Sequence, residues 1–125
     1  MQIAKAQPYN FQYDSQQTAL LVIDFQRDFL YSGGFGESLG NDVSLLQRTV
    51  EPTKRVLEAS RDYGLQIFYV REGHEADLSD CPISKRMRGN FKKKIGDIGP
   101  MGRILIRGEY GHGIIDELAP IPGEI

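Results

Sequence analysis

Hydrophobic and polar positions fall into blocks along this chain, and each block predicts an element. Residues 1–17 are mostly polar, rich in glutamine and interrupted by Pro8, and read as an N-terminal arm. From Ala19 to Ile23 every residue is apolar, and Asp24 closes the run. A short unbroken apolar run predicts a strand covered on both faces. Residues 31–41, YSGGFGESLGN, carry four glycines and predict a loop. A helical pattern starts at Asp42, with Pro52 suited to a first turn because it needs no backbone donor there. Val56, Leu57, Ser60 and Tyr63 share a face at helical spacing, and Gly64 supplies a C-terminal cap. Residues 65–70, LQIFYV, predict a second strand from their β-branched and aromatic content.

Strand, loop, helix, strand in that order predicts a right-handed parallel βαβ unit, and so an α/β chain with a doubly wound parallel sheet. Ligands of such sheets bind beyond the carboxyl ends of the strands. Asp24 stands at one such end, and Arg71, Glu72, Gly73 and His74 stand at the next. Residues 71–103 read as irregular. RILIRG, 103–108, alternates and predicts a short extended piece. GIIDELA, 113–119, predicts two helical turns, ended by Pro120, Pro122 and Gly123, after which Glu124 and Ile125 enter another element.

Composition narrows the function classes. A chain of 125 residues fits one small domain. With 40% hydrophobic and 26% charged residues it builds a core and is not a disordered chain. A net charge of -2 gives no global attraction to nucleic acid or to an anionic membrane. No apolar run approaches the ~20 residues that span a bilayer, and the N-terminus has no apolar signal segment. Cys81 is the single cysteine, so an internal disulfide is impossible. Together these features predict a cytoplasmic protein.

Candidate chemistry gathers at Asp24. A carboxylate ending a buried strand is costly unless it is paired or used. It serves either as a tunable base or as a cap that accepts backbone N–H groups of the following turn. Asp28 reads as a turn or capping residue. Gln26 and Arg27 either orient a polar substrate or face solvent, and Phe29 and Phe35 either wall a pocket or pack in the core. His74 and His112 are far apart in sequence, and no metal site is expected from them. The glycine-rich stretches lack phosphate-loop spacing. Cys81, followed by Pro82 in an irregular segment, reads as an ordinary loop cysteine. Lys85, Lys92, Lys93 and Lys94, with Arg86, Arg88 and Arg103, form a basic run: a solvated loop, a subunit contact or an entrance to the site.

From Thr18 onward the words themselves carry a resemblance. LLVIDFQRDFL, GGFGESLGNDV, LQIFYVREGHEADLSDCP and IGPMGRILIRGEYGHGIIDELAPIPGE together resemble the isochorismatase-like cysteine hydrolases. The match is closest to the biuret hydrolase branch, with ureide and N-carbamoyl amide hydrolases as neighbours. The resemblance implies a Rossmann-like, three-layer domain around a six-stranded parallel sheet, with residues 18–125 as its N-terminal part. It implies an Asp–Lys–Cys triad in which Asp24 takes the thiol proton and the cysteine attacks a carbonyl carbon. It further implies a small ureide substrate such as biuret, water as co-substrate, no metal and no organic cofactor. Gln26, Phe29 and Phe35 are the substrate-binding candidates, and a homo-oligomer is expected. In the family pattern the lysine follows the ELAPIPGE segment and the cysteine lies further on. Neither falls within this sequence, so the 125 residues alone are expected to be inactive, and a second chain carrying the remainder is a possible partner. A non-catalytic truncated product or assembly subunit of the same fold is the alternative. An unrelated flavodoxin-like binding module is disfavoured by the motif match.

Overall fold

The structure is a computed structural model that describes residues 2–3, 5–87 and 93–125. Arg88 and Lys92 of the basic run lie outside the described residues. The arm is folded on itself: Gln2–Ile3 (β1) pairs antiparallel with Phe11–Gln12 (β2). The apolar run forms β3, Ala19–Ile23. Short helices follow at Arg27–Leu30 (α1), Phe35–Ser38 (α2) and Val43–Gln47 (α3). Thus the glycine-rich stretch expected to be only loop contains one helical turn. A longer helix, α4, spans Val50–Asp62, and β4 spans Gln66–Val70. Beyond it come α5 at Ile83–Arg86 and an antiparallel pair, β5 at Ile98–Gly99 with β6 at Gly102–Arg103.

β3 and β4 are parallel, in register from Ala19 opposite Gln66 to Ile23 opposite Val70. α4 crosses between them, as the βαβ pattern requires. Pro52 sits in its first turn, and Gly64 ends it at φ 69°. Leu65 N–H reaches Ser60 O and Gly64 N–H reaches Arg61 O, the paired bonds of a Schellman cap. Leu57 and Ser60 are buried, whereas Val56 and Tyr63 are exposed, so the core-facing stripe is narrower than the sequence spacing suggested.

The larger core gathers Val22, Leu30, Leu57, Ile67, Ile115 and Leu118. Leu20 and Val22 share a face with their register partners Ile67 and Tyr69, and α4 covers that face. Burying Leu57 stabilises the chain by about 1.5–3 kcal/mol relative to leaving it exposed. The opposite face is different. Leu21, Ile23 and Val70 are 54%, 53% and 43% exposed, so the expectation of cover on both faces is not met by these residues. Two-residue alternation explains the split: the odd positions of β3 point away from α4. Among the described residues, nothing pairs with the outer edge of β3. On β4's outer edge, Ile125 N–H reaches Ile67 O at 3.1 Å and Tyr69 N–H reaches Ile125 O at 2.7 Å, the bonding of a parallel ladder.

A clamp fixes that last residue. Arg61 donates from Nε and Nη2 to the two oxygens of Glu124, at 2.7 and 2.9 Å, and Tyr69 donates to Oε2 at 3.2 Å. The Arg61 hydrogen bond holds the Glu124 carboxyl below its ordinary value. Burial, followed by the charge of Glu124, pushes the Tyr69 hydroxyl up to about 12.

Two expectations for the C-terminal half are corrected. RILIRG is extended only at its start, where Arg103 belongs to β6, and in the single bridge of Ile106 to His74: between them Leu105 adopts φ 53°, and Ile104, Leu105 and Ile106 are buried. GIIDELA makes only a three-residue 3-10 turn, Asp116–Leu118. Its first residues are pulled into extended pairing instead. Gln26 and Ile114 form a bridge, and Ile115 N–H donates to Phe25 O. Among the described residues, no helix is long and apolar enough to cross a membrane.

Candidate active site at the end of the first parallel strand

Asp24 follows the last residue of β3 and adopts φ 59°, in the left-handed region. Aspartate tolerates this better than most residues, yet such strain persists only where surrounding bonds impose it. Here Asp24 N–H donates to Val70 O at 2.9 Å, which extends the β3–β4 ladder one step. The carboxylate itself is half-buried, and no described residue donates to it. That geometry does not match a side chain capping the next turn.

Asp24 lines a cavity of about 410 Å³ together with Ile23, Phe25, Phe29, Leu30, Leu46, Thr49 and Glu72. The cavity therefore lies beyond the carboxyl ends of two parallel strands, where α/β sheets bind ligands. Phe29 is brought to it and also packs against both cores. Phe35 is not: it is 6% exposed, inside a second cluster with Cys81, Ile95, Ile104 and Leu105. Helix α2 points it away because Gly34 and Gly36 pack against the backbone of α1, where a Cβ would collide with Asp28 O and Phe29 O.

Gln26 is also corrected. It is fully buried, and its amide is occupied by backbone. Nε2 donates to Glu72 O at 2.8 Å and to His112 O at 3.1 Å, and Oε1 accepts from Glu72 N–H at 2.7 Å. It ties the loop after β4 to the loop before Ile114 and does not meet the cavity. Arg27 lies over the Tyr110 ring at 4.3 Å and pairs with Asp116, so it too is structural. Asp28 is 3% exposed and accepts from Leu105 N–H at 2.9 Å. Burial pushes its carboxyl up, the Leu105 bond pulls it down, and Glu109 adds repulsion.

Both histidines are buried, and neither lines the cavity. His74 Nδ1 lies 3.2 Å from Asp80 Oδ1. His112 packs against the Cα of Gly73, and burial, with Arg71 and Arg107 nearby, pushes its pKa down. Cys81 is 5% exposed in the second cluster, away from Asp24's cavity. The basic run is split. Arg103 bonds Gly96 O and Ala76 O, whereas Lys85 reaches Glu72, a cavity residue, at 3.0 Å.

Sequence reasoning named the loop after β4 but did not single out Glu72, nor Leu46 and Thr49 from the crossover. The signal for Glu72 was its position just past a strand end. The other two come to the cavity through the turn between α3 and α4, which no local pattern announces.

A parallel βαβ unit with a free carboxylate at its strand end defines the class as an α/β protein with a strand-end site. The isochorismatase domain profile matches residues 18–125, and the chain belongs to that family. It is 31% identical over 124 residues to the ureidoacrylate amidohydrolase RutB of Caulobacter segnis, covering 96% of this chain and 52% of the relative. The RutB of Agrobacterium fabrum is 30% identical, with 96% and 54% covered. The chain thus spans about half the length of the curated relatives it matches. Among solved structures, a cysteine hydrolase from Pseudomonas syringae pv. phaseolicola superposes with a TM-score of 0.68 at 22% identity, over 92% of this chain and 47% of the other. An isochorismatase family protein from Desulfovibrio vulgaris gives 0.60 at 28% identity, over 85% and 48%. The α/β fold read from the sequence is therefore that of the family, represented here by about half of its length.

Proposed function

We propose that these residues are one portion of an amidohydrolase that cleaves a C–N bond of a ureide or N-carbamoyl amide, biuret-like, through a cysteine nucleophile. Asp24 carries the reading. It is a half-buried aspartate held in the left-handed conformation at a strand end, without a side-chain donor among the described residues, and it lines a cavity with mostly apolar neighbours. The lysine and cysteine that complete the triad in the family pattern are not among these 125 residues. Asp24 takes the thiol proton and the thiolate attacks the carbonyl carbon. The C–N bond breaks and the amine leaves with that proton; water then cleaves the thioester. Phe29 supplies an apolar wall for the flat substrate. The reaction needs neither metal nor organic cofactor. We place the enzyme in the cytoplasm as a homo-oligomer.

The similarity to amidohydrolases supports the bond type, and the cavity supports a small substrate. The test is ammonia release from biuret and from ureidoacrylate by the whole protein, beside residues 1–125 alone. Turnover by the whole protein, lost in Asp24→Asn, is the expected result. Full turnover in that variant refutes the assignment. A second reading, a non-catalytic assembly subunit, draws on the bare sheet face at Leu21, Ile23 and Val70, since exposed apolar patches mark contact surfaces. Absence of turnover in the whole protein, with a stable complex formed, would favour it.

A further inference from the structure

The two buried histidines stand at one loop and are wired in opposite ways. His74 has an acid at hand, with Asp80 Oδ1 3.2 Å from its Nδ1. His112 has none. Its ring packs so tightly on Gly73 that a Cβ there would collide with Nε2 and Cδ2, and no described residue hydrogen-bonds that ring. The backbone beneath it is fixed. Gly111 O and Gly113 O, on either side, accept from Asp28 N–H and Arg27 N–H at 2.8 and 2.9 Å, and Gln26 donates to His112 O at 3.1 Å. The same Gln26 amide holds the backbone of Glu72, which lines the Asp24 cavity. The loop that brings Glu72 to the cavity therefore rests against the His112 ring.

Charged groups approach His112 from three directions. The loop after β4 carries Arg71, Glu72, His74 and Glu75, residues 107–109 carry Arg107 and Glu109, and α1 carries Arg27 and Asp28. The acids are committed elsewhere. Glu72 pairs with Lys85, Glu75 and Asp80 pair with Arg107, Asp28 accepts Leu105 N–H, and the Glu109 carboxylate lies against Gly102. Arg27 pairs with Asp116. Arg71 and Arg107 are the charges that act on the ring, and they add to burial in favouring its neutral form. We propose that His112 is an acid-sensitive latch on the loop after β4. Uncharged, it seats Gly73 and keeps the Glu72 wall of the cavity in place. Charged, it joins two arginines with no acid hydrogen-bonded to it, and the loop lifts from the fixed backbone of residues 111–113. The latch does not depend on the hydrolase reading, because it acts on the loop whatever the cavity binds. The latched state refuses a proton that the released one accepts. The latch is therefore intact above the ordinary histidine value and weakens as pH falls from there towards the depressed one.

The test follows hydrogen exchange in the 15N-labelled whole protein at about pH 7 and about pH 5, corrected for the intrinsic pH dependence of exchange. The amides of Glu72 and His74, bonded to Gln26 Oε1 and Leu105 O, are expected to lose about fivefold or more of their protection on acidification, while the Leu57 amide inside α4 keeps its own. The loss should follow the titration of the His112 ring signals and not that of the His74 ring. His112→Gln, uncharged at either pH, is expected to abolish the response. Arg71→Gln, at an exposed position, is expected to shrink it by about twofold, and it carries the test if the His112 variant fails to fold. Protection that holds at the lower pH in the wild type overturns the proposal. So does an equal loss at Leu57, a loss that follows His74, or an unchanged response in either variant that folds.

Discussion

Asp24 ends β3 with a carboxylate that no described residue bonds, on an open cavity; Asp28, four residues further on, is 3% exposed and accepts a backbone N–H. Both were candidates for a turn or capping role, and neither fills it: the Asp28 carboxylate instead accepts the N–H of Leu105 from a distant loop. The difference lies in what surrounds each. Asp28 sits in the first turn of α1, under the loop that carries Leu105 and Gly111, and Gly111 lies so close that a Cβ there would collide with the carboxylate. Asp24 has the bare half of the sheet beside it. A buried carboxylate with a fixed partner holds structure together, whereas a tethered one without a partner is left free for chemistry.

The sharpest way to break this contrast is to swap the consequences. Asp24→Asn is expected to lower turnover of the whole protein by about 100-fold or more, the usual scale for a lost general base. Its melting temperature should stay close to wild type, as calorimetry will show. A fall in stability with retained activity would mean the two aspartates have been assigned the wrong way round.

Gly111→Ala attacks the other side. The added methyl group presses on the Asp28 carboxylate, and overpacking of this kind costs about 1–3 kcal/mol. Urea unfolding should register that loss, with KM for the substrate little changed. Retained stability would show that the Asp28 loop yields more easily than its burial implies.

Acid titration separates carboxylates by sign. Asp28 is pushed above its ordinary value mainly by burial, so its charge opposes folding at neutral pH. As pH falls through the raised folded value, protonation relieves that opposition and the Asp28 contribution improves. Glu124 is held below its ordinary value by Arg61. Its contribution is present above the unfolded value and is lost as pH falls through the depressed folded value. Stability curves of Asp28→Asn and Glu124→Gln against wild type should therefore diverge in opposite directions on acidification. Parallel curves would contradict both directions.

The smallest effect is reserved for Cys81. It packs with Ile104 and Leu105 and does not line the cavity, so Cys81→Ala should leave kcat within about twofold while trimming stability by roughly 1–2 kcal/mol. Loss of all turnover would place the nucleophile in the second cluster.

Much of the framework was legible because it is local. Gly64 announces the end of α4 since only its left-handed conformation completes the cap, and β3 with β4 announces a parallel pair through apolar content alone. Asp24 was legible as a strand-end residue, and Phe29 as a pocket wall. Most of the misses are long-range. Leu105 is bent by an N–H bond to Asp28, 77 positions away, and GIIDELA is unwound because Ile115 bonds Phe25. Gln26 was a candidate to orient a polar substrate; its amide is consumed by Glu72 and His112, which nothing nearby foretells. Phe35 moved inward because two glycines let α2 sit tightly on α1.

The grip of Gln26 on Glu72 has a consequence for motion. A side-chain amide that accepts from one peptide N–H and donates to the same residue's C=O does the work of a neighbouring strand, though Glu72 belongs to none. Such an N–H exchanges with solvent only when its cover opens. The Glu72 amide proton should therefore exchange as slowly as those inside β4, far more slowly than a loop position normally would. In Gln26→Leu, which has no oxygen to accept that N–H, the slow clock should run fast, and the cavity wall would then flicker on the timescale of local opening rather than of global unfolding.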